Sequence, residues 1–360
     1  MTQRKGIILA GGSGTRLHPV TMGVSKQLLP IYDKPMVYYP LTVLMMAGIR
    51  EVMVITTPND ADQFQSVLGD GSQWGISLQY KVQPSPDGLA QAFILAESFL
   101  AGAPAALVLG DNIFCGHGLP DLLQEEDKNT SGATIFTYQV ADPERYGVVD
   151  LDKNGIVKRI VEKPSVPPSN YAVTGLYFVD ETAPERAKNV RPSARGELEI
   201  TCLLKSYLCD DALRLKKMGS GYAWMDAGTH DSLLDAGNFV RTLTERQGLQ
   251  VGSPDRVAID MGWIGEAKQK NCVWEKNLIE GPTPLHLSKL SANLTNAANT
   301  SKVYAEMDFV GLNSNNLVSN CLVKEKDQIG LLLNFQKIDE TRKSDRVAGF
   351  MEEMDKANSS

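Results

Sequence analysis

The sequence predicts an α/β fold: a mostly parallel sheet covered by helices, followed by a smaller β-rich part and a tail of different texture. Three observations predict it. Short apolar runs alternate with helix-like segments through the first 180 residues, a turn-split pair of apolar runs begins near Tyr146, and asparagine and serine crowd the chain after about Lys268. Buried parallel strands read as near-continuous Val/Ile/Leu runs, and strand–helix alternation implies a sheet covered on both faces.

The strand candidates are Gly6–Ala10, Glu51–Thr56, Leu78–Val82, Ala105–Leu109 and Ala133–Tyr138. Helix candidates lie between them, near Tyr38–Ala47, Asp60–Leu68 and Leu89–Ser98. This is a Rossmann-like order. Gly147–Leu151 and Gly155–Glu162 flank Asp152-Lys153-Asn154, which reads as a hairpin turn. Tyr171–Val179 is a further strand, so a second, mixed or antiparallel layer is expected there. Helices return at Glu197–Cys209 and Asp231–Gln247. From 269 to 360 the composition suits loops or disorder, and no hexapeptide period marks a β-helix. The expected organisation is one domain over 1–268, with a first part to about 140 and a second over about 141–240, then the tail 269–360.

The bulk composition excludes several classes. The chain has 360 residues, 42% hydrophobic content and a formal net charge of −7. An acidic balance argues against nucleic acid as the main partner. No apolar run reaches the roughly 18 residues of a membrane span. The short run after Lys5 is no signal peptide, so a cytoplasmic protein is expected. The five cysteines form no CxxC pair, which fits a reducing compartment and not a thiolate zinc site.

The strongest local signal is Leu9-Ala10-Gly11-Gly12-Ser13-Gly14-Thr15-Arg16-Leu17, directly after the first strand. Its glycines let backbone N–H groups approach phosphate oxygens, and Arg16 adds a forked cation. A dinucleotide fingerprint needs a third glycine where Leu17 stands, and no Gly-Lys-Ser/Thr completes a P-loop. A purely structural turn is the bland alternative. Lys26 emerges from the apolar segment Leu28-Leu29-Pro30 and is a candidate phosphate ligand, although a lone lysine is usually a solvated charge. Asp111 follows a buried strand at its C-terminal end, where ligands of open α/β sheets bind. Asp226 stands in Trp224-Met225-Asp226-Ala227-Gly228. Either aspartate alone is as readily a turn residue. Beside a polyphosphate cradle the two make a Mg²⁺ pair plausible, since Mg²⁺ takes one or two carboxylates plus phosphate oxygens. Glu162-Lys163-Pro164 offers an acid for hydroxyls and a base for phosphate, or only a surface pair. Gln83, in a loop pinned by Pro84 and Pro86, can address the imide edge of a pyrimidine. The four histidines show no metal-ligand spacing, and Ser13 has no nucleophile-elbow context.

These strings, in order, resemble the sugar nucleotidylyltransferases, and within them the glucose-1-phosphate thymidylyltransferases. The resemblance rests on Gly11 to Leu17, Lys26 to Pro30, Gly69 to Gly75, Gln83 to Gln91 and Gly110-Asp111-Asn112. Arg145 to Val149, Glu162-Lys163-Pro164, Asn170 to Tyr177 and Tyr222 to His230 complete it. It covers residues 4 to 268. It implies the nucleotidyltransferase fold and Mg²⁺-dependent conversion of dTTP and glucose 1-phosphate into dTDP-glucose and pyrophosphate. That reaction opens dTDP-rhamnose synthesis. Leu9, Gly11, Gly12, Gly14, Thr15, Arg16 and Lys26 would hold the nucleotide, and Gln27, Gln83 and Gly88 would read the thymine side. Asp111 and Asp226 would bind Mg²⁺. Asn112, Tyr146, Gly147, Glu162, Lys163 and Val173 would hold the glucosyl phosphate. Arg16, Lys26, Asp111 and Lys163 would carry catalysis. A homotetramer under feedback control by dTDP-rhamnose is also implied. Cys115, Cys202 and Ala227 depart from the usual Tyr, Asp and Thr, and residues 269–360 do not match the family's C-terminal helices. The rival readings are transfer of a uridylyl or other nucleotidyl group to a related sugar phosphate, and a non-catalytic nucleotide-sugar sensor.

Overall fold

A computed structural model describes residues 3–12, 14–265, 321–325 and 328–333. The chain falls into two compact units, Met1–Gly265 and Glu266–Ser360. Of the second unit only an antiparallel hairpin is described, Cys321–Glu325 against Gln328–Leu333. The loop or disorder expected over the rest of the tail lies outside the described residues.

In the first unit β1 is Lys5–Ala10, β2 Pro30–Ile31, β3 Lys34–Pro35, α1 Tyr38–Met46, β4 Glu51–Thr56, α2 Ala61–Leu68 and β5 Ser77–Val82. Then come α3 Gln91–Leu100, β6 Ala105–Leu109, β7 Asn112–Gly116, α4 Leu119–Asp127, β8 Ala133–Gln139, β9 Gly147–Leu151, β10 Val157–Glu162 and β11 Tyr171–Val179. The unit closes with α5 Ala183–Lys188, α6 Ile200–Cys209, β12 Leu213–Met218, β13 Tyr222–Asp226, α7 His230–Gln247 and α8 Pro254–Asp260.

The main sheet places β5, β4, β1, β6, β11, β8 and β12 side by side. All run parallel except β11, which lies antiparallel between β6 and β8. The hairpin β9–β10 joins the same sheet through Ala172 opposite Val148. The separate second layer expected from the sequence is therefore not formed. The nine-residue β11 is long enough to pair with β6 at one end and β9 at the other.

Alternation along each strand divides the core. Ile8, Val52, Val54, Ala106 and Val108 face α1, Phe64 and Leu68 of α2 and Leu119 and Leu123 of α4. Ile7, Leu9, Met53, Ile55 and Leu107 face Phe93 of α3, Ala187 of α5 and Leu203, Leu204 and Tyr207 of α6. Both faces are covered, so β1 carries apolar residues at consecutive positions and all five from Gly6 to Ala10 are buried.

Two helices begin later than the pattern suggests. Leu198 gives its N–H to Asp87 O (2.6 Å), and its carbonyl accepts from Ala90 N–H (3.0 Å). That clasp consumes backbone groups which the sequence pattern assigned to the starts of α3 and α6. The fold also contains β7 and β13, an antiparallel ribbon beyond the C-terminal end of β6 that the apolar pattern did not reveal. Among the described residues no helix is long and apolar enough to cross a membrane.

Candidate active site

The chain leaves β1 to build β4 and β5 on one side, then returns through α3 to build β6 on the other. The order of the strands thus reverses between β1 and β6. Open α/β sheets bind ligands in the crevice outside the strand ends at such a point. The loop after β1 and the residues after β6 both open there. Gly110 N–H donates to Leu9 O (2.9 Å) and keeps the two strand exits together. A Cβ at Gly110 would meet Gln27 Cγ at 2.9 Å, so that approach requires glycine.

In the glycine loop, Gly12 (φ 131°) and Gly14 (φ 58°) take conformations that side chains disfavour. Ser13 lies outside the described residues. Thr15–Leu17 form a single 3₁₀ turn that Leu17, fully buried, anchors to the body. Arg16 is exposed, and its guanidinium lies across Gly228, where a Cβ would sit 3.1 Å from Nη2 and 3.6 Å from Asp226 Oδ2. The loop from β1 and the turn after β13 therefore converge on Arg16.

The two aspartates are brought together by β-pairing. Asp226 is in register with Asn112, and Ala227 N–H donates to Asp111 O at 2.9 Å. Lys26 Nζ donates to Asp111 Oδ2 at 2.5 Å, and Asn112 Nδ2 donates to Oδ1 at 2.8 Å. Burial acts against the charge of Asp111, but Lys26 and Asn112 outweigh it, and the carboxyl sits below its ordinary range. Asp226 goes the other way. Burial pushes it up and the charge of Asp111 adds to the push, against Arg145, Tyr146 and Arg16. Tyr146 OH donates to Asp226 Oδ1 at 3.1 Å, and Arg145 Nη2 stands 3.5 Å from Oδ2.

Asn112 is 2% exposed and its amide is nearly saturated. Trp224 Nε1–H and Gly175 N–H both donate to its Oδ1, at 2.6 and 3.1 Å. One Nδ2 hydrogen remains for a ligand. The expected phosphate ligand Lys26 is likewise engaged, its ammonium paired with Asp111.

On the other side, Gly147 pairs with Glu162 at the ends of β9 and β10. Lys163 N–H donates to Tyr146 O (3.0 Å), and Lys163 itself is at φ 38°. Val173 is buried behind Gly147. Burial and the charge of Glu199 raise the Glu162 carboxyl above its ordinary range, against Lys163 and Arg195. Arg195 reaches Glu199 Oε1 at 2.8 Å and Glu162 Oε1 at 3.5 Å.

At the nucleotide end, Gln83 is buried, and its Oε1 fills the space a side chain at Gly11 would need. Gly88 (φ 112°) lies against Leu198, whose backbone N and O would be 2.5 Å from a Cβ there. Gln27 is buried, its Oε1 accepting from Ser25 Oγ at 2.8 Å.

The described residues expected to act thus lie after β1, β5 and β6, on the β7–β13 ribbon and at the β9–β10 and β11 strands beside it. The sequence reading gave no role to Trp224, Gly175, Arg145 or Arg195. Trp224 and Arg145 each adjoin a named motif residue. Arg195 had no signal beyond Glu199 four positions on.

A glycine loop with an internal arginine thus faces two neighbouring carboxylates at the switch point of the sheet. The family profile described as nucleotidyl transferase matches residues 5–242, and the chain belongs to that family. It is 61% identical over 264 residues to a glucose-1-phosphate thymidylyltransferase of Xanthomonas campestris pv. campestris, covering 73% of this chain and 90% of that protein. It is 55% identical over 262 residues to one from Mycobacterium tuberculosis, covering 73% and 91%. A Bacillus anthracis protein assigned as a glucose-1-phosphate thymidylyltransferase, crystallised with sucrose, superposes with a TM-score of 0.63 at 39% identity, over 70% of this chain and 99% of that one. A UDP-glucose pyrophosphorylase bound to UDP-glucose superposes with a TM-score of 0.59 at 25% identity, over 67% and 99%.

Proposed function

We propose that this enzyme transfers the thymidylyl group of dTTP to glucose 1-phosphate, releasing pyrophosphate and forming dTDP-glucose, the starting point of dTDP-rhamnose synthesis. The observation that carries the reading is the position of Asp226. It touches Tyr146 of the β9–β10 side and lies beside Arg16 of the β1 loop, so one carboxylate joins the two halves of the crevice. The names borne by relatives of more than half identity supply the two substrates.

The attacking group is a phosphate oxygen, already anionic, so no general base is required. The obstacle is the approach of two anions, which cations and fixed geometry overcome. Arg16 would meet charge at the α-phosphorus and on the departing pyrophosphate. Lys163 would steady the sugar phosphate, and Glu162 and the free hydrogen of Asn112 would hold the glucosyl unit. Gln83, with Gln27 and Gly88, would address the base. Lys26 would keep Asp111 charged and lie at the nucleotide phosphates.

The donor set suits Mg²⁺. Asp111 and Asp226 are hard oxygen donors, one in the turn before β7 and one at the end of its partner β13, and the charge of Asp111 disfavours that of Asp226. When bound there, the ion supplies Lewis-acid neutralisation of phosphate charge. A cytoplasmic homotetramer completes the reading.

Pyrophosphate release from glucose 1-phosphate and Mg²⁺ with dTTP, UTP, CTP, ATP and GTP tests it. Fast release with dTTP that EDTA abolishes is expected. A preference for UTP would select the uridylyl reading, which the second superposed structure favours. A folded protein inactive with all five would overturn the proposed reaction and leave the sensor, a different sugar phosphate, or a tail that disables the enzyme, which activity of a chain ending at Lys268 would select.

A further inference from the structure

We propose that Asp87 and Gln91 are positioning residues that fix which end of the Gln83 amide faces the base, so that the site takes an imide base and rejects cytosine. The proposal rests on the reading above that Gln83 addresses the base.

Three side chains form a one-way chain of hydrogen bonds. Gln91 Nε2 donates to Asp87 Oδ2 at 2.7 Å. Gln83 Nε2 donates to Gln91 Oε1 at 2.6 Å. A carboxylate only accepts, so Asp87 must be met by the NH₂ end of Gln91. That turns the Gln91 carbonyl toward Gln83, which must answer with its own NH₂ end. Reversing either amide would set two acceptors or two donors against each other.

Gln83 Oε1 is what remains. It lies over Gly11 in the phosphate loop, and no donor among the described residues reaches it. The elements around it are held. Gln83 N–H donates to Thr56 O (2.8 Å), and Asp87 accepts from Ser85 Oγ (2.7 Å) and, through its carbonyl, from Leu198 N–H (2.6 Å). Gln83 is 6% exposed, so its amide has little water to substitute for a wrong partner.

A presented carbonyl oxygen suits the N3–H of thymine or uracil. Cytosine carries a lone pair at N3, which would face Oε1 directly. A turned amide would suit cytosine instead, with Nε2 donating to N3. Asp87 therefore selects the base without touching it. Sites built around a fixed hydrogen bond discriminate far more strongly than apolar pockets do.

The experiment compares kcat/KM for dTTP and dCTP, with glucose 1-phosphate, in the full chain and three variants. Asp87→Asn keeps the shape but can donate, which frees both glutamines to turn. Gln91→Leu cuts the relay. Both are expected to lower the dTTP-to-dCTP ratio by about tenfold or more, chiefly through a gain with dCTP. General loosening would lower both nucleotides together. Gln83→Ala separates the two levels of the argument. A ratio that collapses in Gln83→Ala but stands in both relay variants would overturn the relay and leave base reading by Gln83 intact. A ratio that stands in all three would remove Gln83 from base reading and the relay with it.

Discussion

The indole N–H of Trp224 donates to Asn112 Oδ1 at 2.6 Å, and this bond orients the amide that holds Asp111. Both Oδ1 partners are pure donors, so the Nδ2 end must face Asp111. Trp224→Phe removes the N–H while keeping an aromatic ring beside Tyr138 and Tyr146, at the cost of a smaller ring. The lost bond is worth about 1–2 kcal/mol, so kcat/KM should fall about tenfold. Steady-state kinetics with glucose 1-phosphate varied checks this, and a variant of wild-type kcat/KM removes Trp224 from the support of the site.

Arg16 is exposed and its guanidinium faces Gly228 and Asp226 across the crevice. Its loss should cost little stability. Removing one preorganised charge contact typically costs about 10²–10³ in kcat. Arg16→Ala is expected to lose that much with its melting temperature unchanged, and near-normal turnover would show that the arginine is a bystander.

Lys26 and Asp111 give a pH-dependent signature. The folded pKa of Asp111 lies below its ordinary 3.8, so the group contributes stability above that value and loses it as pH falls through the folded pKa. Lys26→Met leaves the buried carboxylate without its cation, at a cost of about 3 kcal/mol near neutrality. The melting-temperature deficit should shrink as the pH falls and close only below the lowered folded pKa of Asp111. A deficit equal at all pH values would mean that Lys26 acts only through packing.

Glu162 has the opposite sign. Its folded pKa is raised from 4.5, so its contribution is fully present below 4.5 and is lost as pH rises through the folded value. Glu162→Gln removes the cost of ionisation. Thermal unfolding should show the variant gaining on the wild-type protein from acid toward neutral pH while activity falls. A gain confined to acid pH would contradict the assignment.

Much of this was legible in the residues because apolar runs report burial directly. Leu107 and Val108 read as strand for the reason that both faces of β6 are covered. Asp111 could be placed because the strand before it ends there. Asp226 could be placed only through a motif, since Tyr222–Asp226 is half-buried and its pairing with β7 is set by chain far away in sequence. The same holds for Arg195, whose partner Glu162 lies on β10, and for Trp224, whose partner is Asn112. β11 was legible as a strand but not as the reversed member of the main sheet, because nothing in Tyr171–Val179 encodes direction. Periodicity records which face is wet and is silent about which distant partner completes a hydrogen bond.

The clasp of Leu198 on Asp87 and Ala90 has one more consequence. The segment that follows Gln83 and the segment that carries Arg195 toward Glu162 are stitched at Leu198 by two backbone bonds. Gly88 lies between the two stitched residues Asp87 and Ala90, and Gly196 between the stitch and Arg195. Displacement of either segment loads the same two hydrogen bonds, and Leu198 is an anchor common to both.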